Sequence, residues 1–274
     1  MPEISVIMAV YDTPELESLK KSVASVLEQS FGDFEFLICD DCSGKMDIKE
    51  YLRQLPKSDM RIKLFENQKN MGLAASLNRL IEASSPNSGY IFRQDDDDIS
   101  APDRFFSQRA FLVDNPGISI VGSNVSLCDG NGVWGVLKYP EKPEKRNFLF
   151  AVPFMHGALA FKKSDLLDSG CYLSAKETRR AEDYELLMRM YARGLVGFNI
   201  QKELYSFRED AAAHKRRKYR YRLDEAKIRY RGFKMLKLLP QGLLHVAKPL
   251  VVGLIPRRLL NFLKDGYYGR RKKT

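Results

Sequence analysis

The sequence contains only four cysteines, no long apolar run and neither of the two common nucleotide-binding loops. The cysteines at positions 39, 42, 128 and 171 form no regular disulfide framework and supply no second pair at metal-ligand spacing. No charged start followed by an apolar run and a small-residue cleavage site indicates a signal peptide. We therefore expect a cytoplasmic protein in a reducing environment.

No stretch reaches the roughly 18 uninterrupted apolar residues that a membrane-spanning helix needs. The best candidate, residues 243–255, is interrupted by His245, Lys248 and Pro249. The first predicted strand is not followed by Gly-x-Gly-x-x-Gly, and the chain has no Gly-Lys-Ser/Thr phosphate loop. These absences weigh against an integral membrane protein, a dinucleotide-binding protein and a P-loop nucleotidase.

Positive charge is concentrated at the C-terminal end of the chain. Residues 214–274 hold 19 Lys and Arg residues against three acidic residues, whereas the whole chain has a net charge of only +10. Basic and apolar residues are interleaved there, as in helices that lie on an anionic leaflet, where each nearby basic charge contributes about 1 kcal/mol. We expect this tail to associate with the inner face of the plasma membrane, and we expect no nucleic-acid partner. The alternative is a helical appendage that packs on the body and exposes a solvated charged face.

Apolar strands and amphipathic helices alternate along much of the chain. Predicted strands cover residues 4–10, 34–39, 61–66, 90–94, 118–122 and 158–161. One predicted helix begins at Thr13. Four more are predicted over residues 46–54, 73–83, 101–113 and 182–193. The alternation predicts an α/β protein with a Rossmann-like, doubly wound, mainly parallel sheet over residues 1–212. A basic, amphipathic, helical extension is predicted over residues 213–274.

Polar residues follow three of the predicted strands. Tyr11 and Asp12 follow the first strand, Asp40 and Asp41 follow the second, and four aspartates, residues 95–98, follow the fourth. Ligands bind at the carboxyl ends of the strands in open α/β sheets. We therefore expect these residues to form one site.

Four consecutive aspartates repel one another unless a cation lies among them. Hard divalent ions such as Mg²⁺ and Mn²⁺ favour one or two carboxylates together with phosphate oxygens. The run therefore predicts a metal-bridged diphosphate substrate, and its alternative is a solvated acidic turn that caps the next helix. Asp40 is a candidate to bind a uracil imide or a ribose hydroxyl, or else it forms an ordinary Asx turn. Glu182 and Asp183 open an apolar helix and His156 stands alone, so each is a weak signal by itself.

Together these residues resemble glycosyltransferase family 2, the inverting enzymes of GT-A fold, of the bacterial surface-polysaccharide type. The matching segments occur in the family's order across residues 3–210: 5–12 (SVIMAVYD), 29–35 (QSFGDFE), 40–43 (DDCS), 70–73 (NMGL), 93–100 (RQDDDDIS) and 182–183 (ED).

The resemblance implies roles for individual residues, with Asp183 as the catalytic base. The nucleoside pocket and ribose would be contacted by Ala9, Tyr11, Asp40, Asp95 and Asp96. The metal, Mn²⁺ or Mg²⁺, would be held by Asp97 and Asp95.

Further candidates by resemblance are Arg93, His156 and Glu182. Many relatives carry Tyr-Arg-x-His where this chain has Phe-Arg-Glu-Asp at 207–210. Asp210 and His214 are therefore the candidates for a third metal contact.

The implied reaction moves a sugar from a nucleotide-diphosphate sugar, expected to be UDP-linked, to a hydroxyl of a glycan or lipid-linked acceptor. Its setting would be capsule, exopolysaccharide or other cell-surface glycan synthesis. Two alternatives stay open: a metal-dependent nucleotidyltransferase, although its Gly-rich loop is missing, and a non-enzymatic RNA-binding protein with a basic tail, although it lacks aromatic platforms.

Overall fold

The protein is described from a computed structural model, which covers residues 2–130, 132–208 and 220–254. Nine strands occur within these residues: β1 (Ile4–Val10), β2 (Phe34–Asp40), β3 (Ile62–Glu66), β4 (Tyr90–Arg93), β5 (Ile99–Ser100), β6 (Ile120–Asp129), β7 (Gly132–Leu137), β8 (Ala160–Lys162) and β9 (Gly197–Arg208). They form one sheet in the order β3-β2-β1-β4-β8-β6-β9-β5, and β7 pairs with β6.

Eight α-helices lie in the same described residues: α1 (Leu16–Leu27), α2 (Met46–Ser58), α3 (Leu73–Ala83), α4 (Arg104–Asp114), α5 (Lys163–Asp168), α6 (Glu182–Ala192), α7 (Arg220–Met235) and α8 (Leu243–Leu254). Two 3₁₀ turns, Lys145–Leu149 and His156–Ala158, precede β8. His156, a predicted site residue, lies in the second of these turns.

The sheet separates two apolar cores. Val6, Met8 and Phe36 pack into the core that α1, α2 and α4 cover, whereas Ile7 and Leu37 pack into the core covered by α3 and α6. Neighbouring residues enter different cores because successive strand side chains point to opposite faces. The near-continuous burial of β1 and β2 follows from this double cover.

The first four long strands are parallel, and the sheet becomes mixed beyond them. β1 pairs in parallel with β2 and β4, and β2 pairs in parallel with β3. β8 then runs antiparallel to both β4 and β6, while β6 and β9 are parallel. The predicted α/β, doubly wound sheet is confirmed. The carboxyl ends of β2, β1 and β4 meet at one edge in that order.

Several elements differ from the sequence-based expectations. The strands β5, β7 and β9 were not predicted, because they show no clean alternation; the middle of β9, residues 201–203, is exposed. The first helix begins at Leu16 instead of Thr13. The Lys45 ammonium donates to the carbonyls of Thr13 and Pro14, both at 2.8 Å, and Asp12 has a φ of +47°. This stretch is therefore a tethered turn before the helix.

The described part of the basic tail packs on the body. α7 places Ile228 and Phe233 in the same core as α6, and Leu236, just after α7, lies there too. α8 packs on α7 and returns to the body, where Lys248 Nζ donates to the Phe150 carbonyl at 3.2 Å. Among the described residues no helix is both long and apolar enough to cross a membrane. The predicted boundary near residue 212 falls within 209–219, outside the described residues.

Candidate active site

The three polar strand ends are adjacent because β1 lies between β2 and β4. Asp12 links the first two ends: its Oδ1 accepts hydrogen bonds from the backbone N–H of Gly44 at 2.7 Å and of Lys45 at 3.1 Å. The Ser43 hydroxyl oxygen accepts from the Asp12 N–H at 3.2 Å. The turns after β1 and β2 are therefore held as one unit.

Asp40 and Asp41 are both buried at the end of β2. Asp40 Oδ1 accepts the Ser43 N–H at 2.9 Å, a bond that reaches three residues along the chain, one more than an Asx turn spans. Asp41 accepts three hydrogen bonds from the loop before α3, from Asn67 Nδ2, the Met71 N–H and the Gly72 N–H, at 2.7–2.8 Å. Asp41 thus holds the loop that leads into the N-terminus of α3, a role that the sequence did not reveal.

The four aspartates after β4 have different partners. Asp95 forms an ion pair with Arg93, and Asp96 accepts a hydrogen bond from the Thr13 hydroxyl. Asp98 accepts the Arg208 N–H at 2.8 Å. Asp97 forms no ion pair with a described residue. Three of the carboxylates are therefore engaged by the fold, and Asp97 is the one left available for a ligand.

Burial and crowding raise the pKa values of Asp96, Asp97 and Asp98. Burial raises the pKa of Asp96 to about 6, although the Thr13 hydrogen bond opposes the rise. Burial, together with the charges of Asp96 and Asp95, raises the pKa of Asp97 to about 7. The pKa of Asp98 is also raised, first by burial and then by its acidic neighbours. A divalent cation would lower these pKa values by supplying the missing positive charge.

A buried polar network holds the backbone on both sides of the four aspartates. Gln94 Nε2 donates to the Asp98 carbonyl at 2.9 Å, and Gln94 Oε1 accepts from the fully buried Arg104 at 3.0 Å. Arg104 also donates to the Arg93 carbonyl at 2.7 Å, and burial lowers its pKa to about 10. Sequence reasoning missed Gln94 and Arg104 because their partners are distant in the chain. A strand that ends in Arg-Gln instead of apolar residues was the available signal.

Arg93 lies at the centre of the predicted catalytic groups. It is fully buried, and its Nε has no partner among the described atoms. His156 interacts electrostatically with Arg93, Asp183 and Asp95; burial is the largest cause of its lowered pKa. The predicted base, Asp183, and Asp95 of the aspartate run therefore both interact with His156.

Glu182 and Asp183 open α6 as predicted. Burial raises the pKa of Asp183, His156 acts in the opposite direction, and Glu182 adds to the rise. Burial likewise raises the pKa of Glu182. Tyr172, missed by sequence reasoning, is buried and its hydroxyl lies 2.8 Å from His156 Nε2. His156 is thus oriented by a tyrosine beside the two carboxylates.

Gly157 allows the loop after His156 to approach the aspartates closely. A Cβ at this position would lie 2.6 Å from Asp95 Oδ2 and even nearer to the Tyr205 hydroxyl. That hydroxyl accepts the Asp95 N–H at 3.1 Å. The close approach is a physical requirement for glycine and places β9 against the site.

The remaining predicted residues occupy the same edge of the sheet or lie outside the description. Ala9 is partly buried in β1, and Tyr11 is 53% exposed just beyond it. A cavity of about 390 Å³ lies between the start of α3 and the loop before α6, and Gly72 and Glu182 are among its lining residues. Asp210 and His214 lie outside the described residues.

The aspartate run fits a metal that is held by few protein ligands. In the described part of the chain, no three His, Cys, Asp or Glu side chains converge as a complete ligand set. Mg²⁺ and similar ions are commonly bound through one or two carboxylates plus substrate phosphates and water. The available Asp97 carboxylate and the proton-holding neighbours match that chemistry.

A doubly wound sheet with an acidic edge and a carboxylate at the start of the α6 helix defines a GT-A-type glycosyltransferase. Residues 5–170 match the family described as Glycosyl transferase family 2. The chain therefore belongs to glycosyl transferase family 2.

Relatives agree with this assignment. The protein named "Putative glycosyltransferase EpsE" of Bacillus subtilis (strain 168) is 36% identical over 260 residues, which cover 95% of this chain and 92% of the relative. The Escherichia coli protein named UDP-Gal:alpha-D-GlcNAc-diphosphoundecaprenol beta-1,3-galactosyltransferase is 29% identical over 240 residues, 85% of this chain and 84% of the relative.

Solved structures share the fold. S. aureus TarS 1-349 in complex with UDP-GlcNAc superposes with a TM-score of 0.66 at 17% identity, covering 84% of this chain and 66% of that one. The mannosyltransferase PcManGT from Pyrobaculum calidifontis, in complex with GDP-Man and Mn²⁺, gives a TM-score of 0.59 at 18% identity, covering 97% and 79%.

Proposed function

We propose that this glycosyltransferase inverts the anomeric centre of a nucleotide-diphosphate sugar, most simply a UDP-sugar, as it transfers the sugar to an acceptor hydroxyl. The carrying observation is that His156 interacts electrostatically with both the partly buried Asp183 and Asp95, two residues before the available Asp97. UDP and a nucleotide sugar are bound by the structural neighbour TarS, and a lipid-diphosphate acceptor appears in the name of the E. coli relative.

On the donor side, the adjacent ends of β1 and β2 supply the nucleoside pocket. We assign its wall to Ala9 and Tyr11, since Tyr11 is exposed enough to contact a base. Asp40 has one oxygen committed to its turn, so its contact with the nucleoside would use the other oxygen. We assign Asp95 and Asp96, which are held by Arg93 and Thr13, to contacts with the ribose and diphosphate.

On the acceptor side, Asp183 is the base that takes the proton of the attacking hydroxyl. General-base help of this kind contributes about 10²- to 10⁴-fold when the pKa of the base lies near the working pH. Burial moves the pKa of Asp183 upward in that direction. His156 interacts with the Asp183 carboxylate and is itself held by Tyr172, so we assign His156 to positioning the base.

Asp97, with Asp95 as second ligand, would hold Mn²⁺ or Mg²⁺. The metal, when bound, neutralises charge that grows on the departing diphosphate. Arg93 fixes the orientation of Asp95 through the ion pair. No covalent intermediate is required, because one base and one stabilised leaving group suffice for a single displacement.

Asp183→Asn tests the assignment of the base. We expect it to abolish sugar transfer while leaving the Kd of the donor unchanged, because the amide is isosteric but cannot accept the proton. The measurement is nucleoside diphosphate release from a panel of UDP- and GDP-sugars with Mn²⁺, together with calorimetry of donor binding. Asp168→Asn, which changes an exposed carboxyl at the end of α5, is the matched control. An Asp183→Asn enzyme with wild-type turnover would remove Asp183 as the base.

The setting is polysaccharide synthesis at the cell surface, supported by the family and its relatives. We further propose that residues 213–274 bring the enzyme to the anionic inner face of the plasma membrane, where a lipid-linked acceptor would be available. Sedimentation with vesicles of phosphatidylglycerol tests this, and binding should weaken with salt. A full-length protein that stays in the supernatant at low salt contradicts it.

A further inference from the structure

A second cavity, of about 360 Å³, lies beside Asp183 and between the loop before α6 and the first turns of α7. Its wall includes four guanidinium groups and two carboxylates, from Arg179, Arg180, Arg222, Arg229, Asp183 and Glu225. The cavity therefore carries an excess of positive charge next to the proposed base.

Two of these arginines have no carboxylate partner among the described residues. Arg179 and Arg180 are both exposed in the loop before α6. The Arg180 guanidinium stacks over the Tyr221 ring of α7, 5.1 Å from its centroid. Arg180 also has a φ of +71°, a conformation that residues other than glycine rarely adopt. The loop thus presents at the cavity wall a guanidinium that stacks on α7 but has no carboxylate partner among the described residues.

The other two arginines share one carboxylate. Arg222 Nη1 lies 3.3 Å from Glu225 Oε2, and Arg229 Nη2 lies 3.1 Å from Glu225 Oε1. Arg229 is buried and also donates to the Leu149 carbonyl at 3.2 Å. Arg222 is less buried and has the longer contact. One negative charge does not neutralise two cations, so the α7 side of the cavity keeps an unsatisfied positive charge.

We propose that this cavity binds a phosphate or diphosphate group of the acceptor. The proposal rests on the proposed function, because it takes Asp183 to mark the acceptor side. Arginine matches the geometry of phosphate oxygens through two parallel N–H donors, which suits an ester of phosphoric or diphosphoric acid. α7 then contributes to acceptor recognition in addition to its packing on α6.

The donor diphosphate has the same chemistry and must be told apart from the acceptor. Arg179 and Arg180 also line the neighbouring cavity at the start of α3, so they can reach either ligand. Arg222 lines the cavity beside Asp183 and is absent from that neighbouring one. Arg222 is therefore the residue that separates the two sources.

The test is calorimetric binding of geranyl diphosphate to the full chain, saturated with UDP and Mg²⁺ so that the donor site is filled. We expect geranyl diphosphate to bind and geraniol, which lacks the diphosphate, not to bind. Arg222→Gln should raise the Kd for geranyl diphosphate by about tenfold or more, the usual effect of losing a hydrogen bond between charged groups. The Kd for UDP should stay unchanged.

Arg231→Gln is the matched control, because Arg231 is exposed on the same helix and does not line the cavity. Arg180→Gln is a second variant, remote from the α7 core, and should also weaken geranyl diphosphate binding. Absence of binding, equal binding of geraniol, or an equal effect of Arg231→Gln would overturn the proposal. If Arg222→Gln instead weakens UDP, the arginines belong to the donor site and the proposal is wrong. A protein that does not bind UDP at all contradicts the proposed function. The binding of geranyl diphosphate tests only the proposed acceptor cavity.

Discussion

The affinity for Mn²⁺ should rise with pH, because the Asp97 carboxyl holds a proton at mildly acidic pH when no cation is present. Burial, with the charges of Asp96 and Asp95, raises the pKa of Asp97 from 3.8 to about 7. Such a carboxyl is roughly 10% ionised at pH 6 and roughly 90% ionised at pH 8. Since metal ligands must be deprotonated, the apparent affinity for Mn²⁺ should increase about tenfold between these pH values.

The assay is electron paramagnetic resonance of free Mn²⁺, titrated against the full chain with UDP-GlcNAc present. The diphosphate of a nucleotide sugar does not ionise in this range, so the pH dependence belongs to the protein. Asp97→Asn should bind Mn²⁺ weakly at pH 6 and at pH 8, without the tenfold change. Asp114→Asn, an exposed carboxyl at the far end of α4, should behave like the wild type. A wild-type affinity that is the same at pH 6 and pH 8 would refute the reasoning.

The raised pKa of Asp97 also makes the free energy of unfolding depend on pH. The folded state binds the proton of Asp97 more tightly than the unfolded chain does, because its pKa is raised on folding. The contribution to the free energy of unfolding is therefore largest below about pH 4 and is lost as the pH rises through about 7. Urea unfolding without metal should show a smaller loss over this window for Asp97→Asn than for the wild type.

Two predictions concern the frame of the site. Gly157→Ala should cost about 1–3 kcal/mol of unfolding free energy, as overpacking does, and should weaken Mn²⁺ binding, because the new Cβ would lie 2.6 Å from Asp95 Oδ2. Gly117→Ala, with no atom within 4 Å of its Cβ, is the control, and equal urea curves for the two variants would contradict the close approach. Asp41→Asn should cost roughly 2–4 kcal/mol and raise the donor Kd, because three hydrogen bonds to the loop before α3 lose their charged acceptor. Urea unfolding measures the change in the free energy of unfolding, and calorimetry measures the donor Kd. The exposed Asp33→Asn should change neither quantity. If Asp41→Asn also changed neither, the loop before α3 would not depend on the Asp41 carboxylate.

Local patterns in the sequence were sufficient for the first half of the fold. β1 and β2 are apolar runs buried on both faces, and α3 was predicted with its observed ends. The second half could not be predicted in the same way. The strand predicted over residues 158–161 overlaps β8, but β9 mixes buried and exposed positions without alternation and has no periodic signal. Their pairing with β4 and β6 is set by contacts between distant parts of the chain.

The basic tail shows the same division. Its charge and helical character follow from composition, and the sequence left open whether it lies on a membrane or packs on the body. In the described residues, Gly232 lets α7 approach Met188 of α6 closely, since a Cβ there would collide with the Met188 side chain. Packing of this kind depends on the shape of two surfaces, which a charge pattern does not encode.

The sequence by itself determined that acidic residues follow three predicted strands and that a carboxylate pair opens a later helix. Those positions are fixed by the periodicity of strands and helices, which is a local property. Only the tertiary structure decided which carboxylates are already engaged: Arg93 pairs with Asp95, Thr13 donates to Asp96, and the Arg208 N–H donates to Asp98. Hydrogen bonds to Asp96 and Asp98 join residues 83 and 110 positions apart. Folding therefore leaves Asp97 without an ion-pair partner among the described residues and raises the pKa values of Asp96, Asp97 and Asp98. Both effects need burial, which exists only once distant segments have come together.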